Sequence, residues 1–518
     1  MPPESPINGF ALLGCERTQL PAHARRPQPR KAQRGRARRS LNAMEPKNLR
    51  FGGGAAETIL HPSVAVGMLF AIVLILALPR KKAITPFLLA FFTIPVGQVL
   101  VVEGVHFLMH QILILTVLVR MITFRGSASE RRFAGGFNAL DRVAVLWSLS
   151  ALIIFCLQFM DAQAWIKGLG DLVVSLGGYL AARFLIPDRE AVRRTIRVLA
   201  MICVIQGVCM VSEQFTHQNV FSFLGKVPPP IRNGHVRSEG TMGSLYGGVF
   251  AGVLIPLFFW LWTERKSRMV ACAGLAGATA MVWASHASTS WGTYGGSLLG
   301  LAFWPLRKGM RLVRWGIVAM LVGLHLVMNG PVWSLIEKID VTGGSSSYHR
   351  YLLLDNCIRH FGDWWLLGYK YYGSWGFGMW DLCNQFVVAA LTGGLVTLVL
   401  YIAIFKRSFR AIGMARKRVD GDRRQEYLLW CLGADLFANV VASFGINYVT
   451  ELMMSLFPLL ACISVASFEA RRATVRSVEP MGRVQLAPAL AVPGTDLPMK
   501  ESREEARHSF SAAWEQEQ

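Results

Sequence analysis

Two arginines stand at positions where an anion would be well received. Arg237 follows the stretch Pro228-Pro229-Pro230 to His235 and precedes the apolar run 241–262. Arg350 ends the polar run Gly343-Gly344-Ser345-Ser346-Ser347-Tyr348-His349 and opens an amphipathic segment. Each is expected beside the first turn of a helix, where unpaired N–H groups and the macrodipole already favour negative charge. A guanidinium meets phosphate oxygens two at a time, so the pair suits a pyrophosphate. The plainer alternatives are reaching out to water, snorkelling and lipid contact. No metal site is expected, because Glu239, Glu337, Asp340, Asp355, Asp363 and Asp381 are spread singly along the connectors. The cysteines are also single and form no C-x-x-C pair, which leaves only Cys357 with Cys383 as a possible disulfide.

The segment that carries Arg350 reads as a helix capped by Ser346 or Ser347. With about 100° between successive residues, Tyr351, Leu354, Cys357, Ile358 and Phe361 share one face. Asp355 and Arg359 lie on the other face at i,i+4 spacing, a supporting ion pair. An aromatic loop follows, with Trp364, Trp365, Trp375 and Trp380, and then the apolar run 384–405. The polar stretch 285–290, Ser-His-Ala-Ser-Thr-Ser, splits another long apolar region and is read as a hairpin on the outer surface.

The chain has 518 residues, of which 53% are hydrophobic and only 17% charged. Repeated, continuously apolar runs of spanning length imply an all-α polytopic transmembrane helical bundle with about 12–13 spans. The runs are 62–79, 83–102, 105–124, 140–159, 166–186, 195–213, 241–262, 269–285, 289–306, 312–329, 384–405, 427–444 and 446–468. The formal charge of +22 comes from short basic clusters between runs, so nucleic acid is not an expected partner, whereas membrane lipids are. With alternating spans every basic cluster from Arg80 to Arg476 falls on one side, which marks that side as cytoplasmic. Polar residues inside the runs, among them Glu103, His106, His110, Glu213, Asp435, Asn439, Asn447 and Glu451, are expected near outer ends as satisfied interfacial groups or as a proton relay.

The expected organisation is a disordered basic arm over 1–58, with Met44 as an alternative start. It continues with a first part of the bundle over 59–330, a large outward loop containing short helices over 331–381, the rest of the bundle over 382–469, and a disordered cytoplasmic tail over 470–518.

Three pieces resemble the O-antigen ligase and O-antigen polymerase superfamily, in its exopolysaccharide-type branch. They are Arg237-Ser238-Glu239-Gly240-Thr241, Ser288-Thr289-Ser290-Trp291-Gly292, and the outer loop from Ser347-Tyr348-His349-Arg350-Tyr351 through Trp364-Trp365-Leu366-Leu367-Gly368 to Asp381-Leu382-Cys383-Asn384-Gln385, ahead of Gly393-Gly394-Leu395. The resemblance implies a multi-pass protein of the bacterial inner membrane. It implies transfer or polymerisation of glycan from an undecaprenyl-pyrophosphate-linked donor to a glycan or lipid acceptor, without cofactor or metal. It assigns donor binding to Arg237 and Arg350 and retains Asn384. The family's histidine position holds Cys383, which leaves His349, Asp381 and Glu239 as the alternatives for the base.

For such a transfer, preorganised arginines stabilise charge on the departing pyrophosphate, and an imidazole or carboxylate takes the hydroxyl proton. Trp364, Trp365, Trp375 and Trp380 offer flat faces to sugar rings, although interfacial belts use the same residues. A flippase or transporter, which should show broken helices or inverted repeats, stays open beside this reading. So does a non-catalytic subunit of a polysaccharide export complex.

Overall fold

An apolar segment in a membrane must satisfy its own backbone groups, and a helix does so within one stretch of chain. The computed structural model describes residues 58–478 except 104, 126–130, 329, 339–345 and 377, and each apolar run contains a helix. The order is α1 Pro62–Ala77, α2 Arg80–Thr93, β1 Val99–Val102, β2 Val105–Leu108, α3 Met109–Thr123, α4 Ala139–Phe159 and α5 Ala162–Leu172. One π-helical turn, Val173–Gly177, joins α5 to α6 Gly178–Leu185, and α7 Arg189–Thr216 follows. A small hairpin of β3 Ile231–Arg232 and β4 His235–Val236 precedes α8 Ser244–Thr263, α9 Arg268–Ala284, α10 Ser288–Ala302 and α11 Met310–Val327. The long connector holds α12 Leu335–Lys338, α13 Ser346–Arg359 and α14 Phe361–Trp364. The chain then completes the bundle with α15 Gln385–Arg418, α16 Arg423–Ser443 and α17 Thr450–Val478.

Among the described residues eight helical stretches, counting Ala162–Leu185 as one across the π turn, are long and apolar enough to cross a membrane, so this is an all-α, multi-pass membrane protein. The chain divides into two units, Met1–Thr474 and Val475–Gln518, and all elements but the last turn of α17 belong to the first. The basic arm with Met44, the Gly343 to Ser345 approach to α13 and the chain beyond 478 lie outside the described residues.

Three expectations change. The run 83–102 is not one helix: α2 stops at Thr93, and Val99–Val102 pairs antiparallel with Val105–Leu108. Valines at 96, 99, 101, 102 and 105 favour extended backbone, and Glu103, with φ 52°, sits in the turn. Residues 470–478, expected to be tail, are helical, because α17 continues to Val478. The buried face of α13 centres on Leu353 and Cys357, while Ile358 and Phe361 are exposed.

α8 is packed by α7, α9, α10 and α16 and is buried along most of its length. The two ends of the bundle differ in chemistry. At one end basic connectors are tied together: Lys81 to Asp188 at 2.6 Å, Arg197 to Ser267 at 2.8 Å, and both Arg307 and Arg416 to Glu426 at 3.1 Å. The other end gathers the connectors around residues 94–98, 217–243, 285–288, 328–384 and 444–449. Gln98 donates to Leu224 O at 2.9 Å, Thr241 to Phe92 O at 2.7 Å, and Asn384 to Phe444 O at 3.4 Å. This segregation agrees with the alternation read from the basic clusters.

α15 is two helices joined at Gly394, whose backbone (φ 63°, ψ −169°) is not helical. The long connector dips into this break. Leu395 N donates to Trp365 O and Tyr369 N to Leu391 O, each at 2.8 Å. A β-carbon at Gly394 would lie 2.6 Å from Leu366 O, so both the positive φ and the close approach call for glycine.

Candidate anion site at the start of the tenth helix

The turn between α9 and α10 brings the two arginines together. Arg237 Nε lies 3.5 Å from Ser285 O, and Arg350 donates through Nη2 to Thr289 Oγ1 at 2.7 Å. Thr289 in turn donates to Gly445 O at 3.2 Å, which fixes the hydroxyl between α10 and the connector after α16. α10 begins at Ser288 behind Ala287, an N-cap residue with no side-chain acceptor for the first-turn N–H groups. Two atoms at this point are buried and without partners, Arg350 Nε and Ser290 Oγ. An uncapped helix start, two guanidinium groups and an unoccupied hydroxyl form a cradle for an anion. Beneath it, a β-carbon at Gly248 would fall on the hydroxyls of Ser290 and Ser285, so α8 approaches this turn only as glycine.

Arg237 is held by a scaffold that the sequence did not reveal. Asn233 and Gly234, with φ 52° and 77°, make the two-residue turn of the β3–β4 hairpin. The following segment is fastened to one side of α7. Glu213 accepts from Glu239 N at 2.7 Å and Gly240 N at 3.0 Å. Gln214 donates to Val236 O, Ser238 Oγ and Ala284 O at 2.7–2.9 Å, and Gln206 donates to Thr241 Oγ1 at 2.8 Å. The spacing 206, 213, 214 on one helical face was the available signal. Glu239 lies on this side of the site, 3.9 Å from Lys226.

His286, with φ 43°, stacks on His235 at 4.8 Å between ring centroids. Burial first, then the neighbouring His235 and Arg237, holds the His286 imidazole below its ordinary value. The bare site is therefore not overloaded with cations at neutral pH.

His349 and Arg350 leave the first turn of α13 toward different partners. His349 Nε2 is 2.9 Å from Asp381 O, and a carbonyl only accepts, so in the neutral ring the proton is on Nε2 and the lone pair on Nδ1. The His349 ring, the Asp381 carboxylate and the Cys383 thiol have donor atoms within 4.8 Å of one another, so the base alternatives His349 and Asp381 meet beside Cys383. The same three donors are those that could hold a divalent ion.

Other expected site residues have structural work. Asn384 is fully buried: its Oδ1 caps α15 by accepting from Phe386 N and Val387 N, and its Nδ2 donates to Phe444 O. Trp364 is only 4% exposed and donates to Cys357 O at 2.7 Å, so it has no face open to a sugar. Trp375 is sandwiched between His360 and Tyr369. Exposed faces remain on Trp380 and on Trp365, which sits where the connector enters the α15 break.

No family model and no curated protein matches this chain. The functional reading rests on its residues and their geometry.

Proposed function

We propose that the protein is an envelope glycosyltransferase of the O-antigen ligase or polymerase type. It would transfer or polymerise glycan from an undecaprenyl-pyrophosphate-linked donor on the outer face of the bacterial inner membrane. The observation that carries this is the meeting of Arg237, at the end of α9, and Arg350, at the uncapped start of α10, on one turn beside an unpartnered Ser290 hydroxyl. A pyrophosphate fits such a cradle because each guanidinium can engage two oxygens and the helix start adds further positive potential.

In the proposed reaction an acceptor hydroxyl oxygen bonds to the anomeric carbon of the donor. The bond from that carbon to the pyrophosphate oxygen breaks, its electron pair leaves with the phosphate, and the hydroxyl proton passes to His349 Nδ1. One displacement inverts the anomeric centre. Arg237 and Arg350 stabilise the charge that appears on the leaving group, work that would otherwise fall to a metal ion. Asp381 acts on His349 through its backbone carbonyl, which sets the tautomer.

The break at Gly394 is the feature a transporter reading would claim. Its freed backbone groups are met by Trp365, Tyr369 and Gln158 rather than left facing a cavity, which favours an anchor for the outer connector. Transfer from a lipid-pyrophosphate glycan by the purified protein tests the proposal. Arg237→Ala and Arg350→Ala should each abolish product while inserting normally. Full product from both would sink the pyrophosphate-clamp reading.

A further inference from the structure

Asp435 is a carboxyl group that the reaction above does not use. It lies inside α16, is 1% exposed, and has one side-chain contact: Asn439 Nδ2 donates to Oδ1 at 2.8 Å. Oδ2 is buried without a partner. Among the described residues no lysine, arginine or histidine pairs with it. The helices packed on α16 include α8 and α10, and neither contains a charged residue. α15 also packs on α16, and its stretch up to Phe405 is uncharged, with Tyr401 facing Ser443 at 3.2 Å. The titratable groups near Asp435 are Cys431 on α16, Cys462 on α17 and Tyr448 in the connector between them. None of these side chains can carry a positive charge.

An ionised carboxylate in such a place would be desolvated with a single neutral donor in return, which is costly. A bound monovalent cation would need several oxygen ligands. Yet Asn439 presents its amide nitrogen to Asp435, while its oxygens accept from Tyr448 Oη at 2.9 and 3.1 Å. A proton needs neither a cation partner nor a cage. We propose that Asp435 is a proton-binding site in the bundle interior, holding its proton at neutral pH. A polar line of Asn439, Ser443, Tyr401 and Tyr448 runs from it toward the connector at 444–449. Ser443 donates to Asn439 O at 2.8 Å along this line. The site is independent of the glycosyltransferase reading.

Infrared spectroscopy of the purified full-length protein tests this at about pH 8, far above the ordinary carboxyl range. The wild-type minus Asp435→Asn difference spectrum should contain a carboxylic-acid C=O band. If Asp435→Asn fails to accumulate, Asp435→Glu should shift that band instead of removing it. Dicyclohexylcarbodiimide gives a second readout. The acid proton adds to a carbodiimide nitrogen, the carboxyl oxygen bonds to its central carbon, and migration to nitrogen leaves a stable N-acylurea. The Asp435 peptide should be labelled at the same pH, with no protection by sodium ions, and labelling should vanish in Asp435→Asn. Carboxylate bands alone at this pH, or protection by sodium, would overturn the proposal.

Discussion

Arg350→Ala separates a binding residue from a structural one, because the two roles predict opposite stability effects. In the unliganded protein Arg350 donates to one neutral hydroxyl, leaves Nε buried and unpaired, and has no carboxylate partner among the described residues. A charged hydrogen bond contributes about 1.5–3 kcal/mol, and an unsatisfied buried donor costs about 1–3 kcal/mol, so the net contribution to folding is near zero. With a pyrophosphate bound, the same guanidinium gains up to two charge-assisted bonds and satisfies Nε. A loss of about 3 kcal/mol on truncation corresponds to roughly 150-fold weaker binding. The assay is calorimetric titration of purified protein with inorganic pyrophosphate and a short-chain prenyl pyrophosphate, beside a thermal melt. Expected is a melting temperature within about 2–4 °C of wild type, the shift that 1 kcal/mol produces at 150–250 residues and an upper bound for a longer chain. Arg350→Lys should fall between, keeping charge but losing the fork. A large drop in melting temperature with unchanged pyrophosphate affinity would refute the reasoning.

Three further outcomes follow from the same geometry. Gly248→Ala places a methyl on the Ser285 and Ser290 hydroxyls and should cost about 1–3 kcal/mol by overpacking, read as a lower melting temperature; an unchanged melt would mean that α8 does not press on this turn. For His286, the unfolded imidazole takes its proton near 6.5 and the folded one only at lower pH, so between those values the unfolded state binds more protons. Stability from this group is thus full above about 6.5 and lost as pH falls through the folded value, and His286→Gln should flatten the melting-temperature profile there. Burial pushes the Cys357 thiol up to about 12, so maleimide near neutral pH should modify half-buried Cys383 well before Cys357, as peptide mass spectrometry would show; the reverse order would contradict the packing of α13.

What could be read from the sequence was whatever composition decides locally. Uninterrupted apolar stretches have one way to satisfy their backbones in a membrane, so the bundle and its helices were legible, as was the Asp355–Arg359 pair, found at 2.6 Å. The β1–β2 hairpin was missed because a valine-rich run is apolar in either conformation, and hydropathy does not separate strand from helix. Both arginines could be singled out as anion-binding candidates, but each was assigned to the start of its own helix, and α8 begins only at Ser244, seven residues beyond Arg237. Only tertiary packing brings Ser285 and Thr289 to meet them, because the partners lie 48 and 61 residues away along the chain. The same holds for roles that depend on burial. Trp364 and Trp380 are one residue type in one loop, yet one is sealed in the core and the other is exposed. Asp435 was expected near an outer end, and its isolation emerged only when uncharged helices closed around it. Side-chain type sets what a group can do, whereas the surrounding dielectric and partners, which come from distant segments, set what it does.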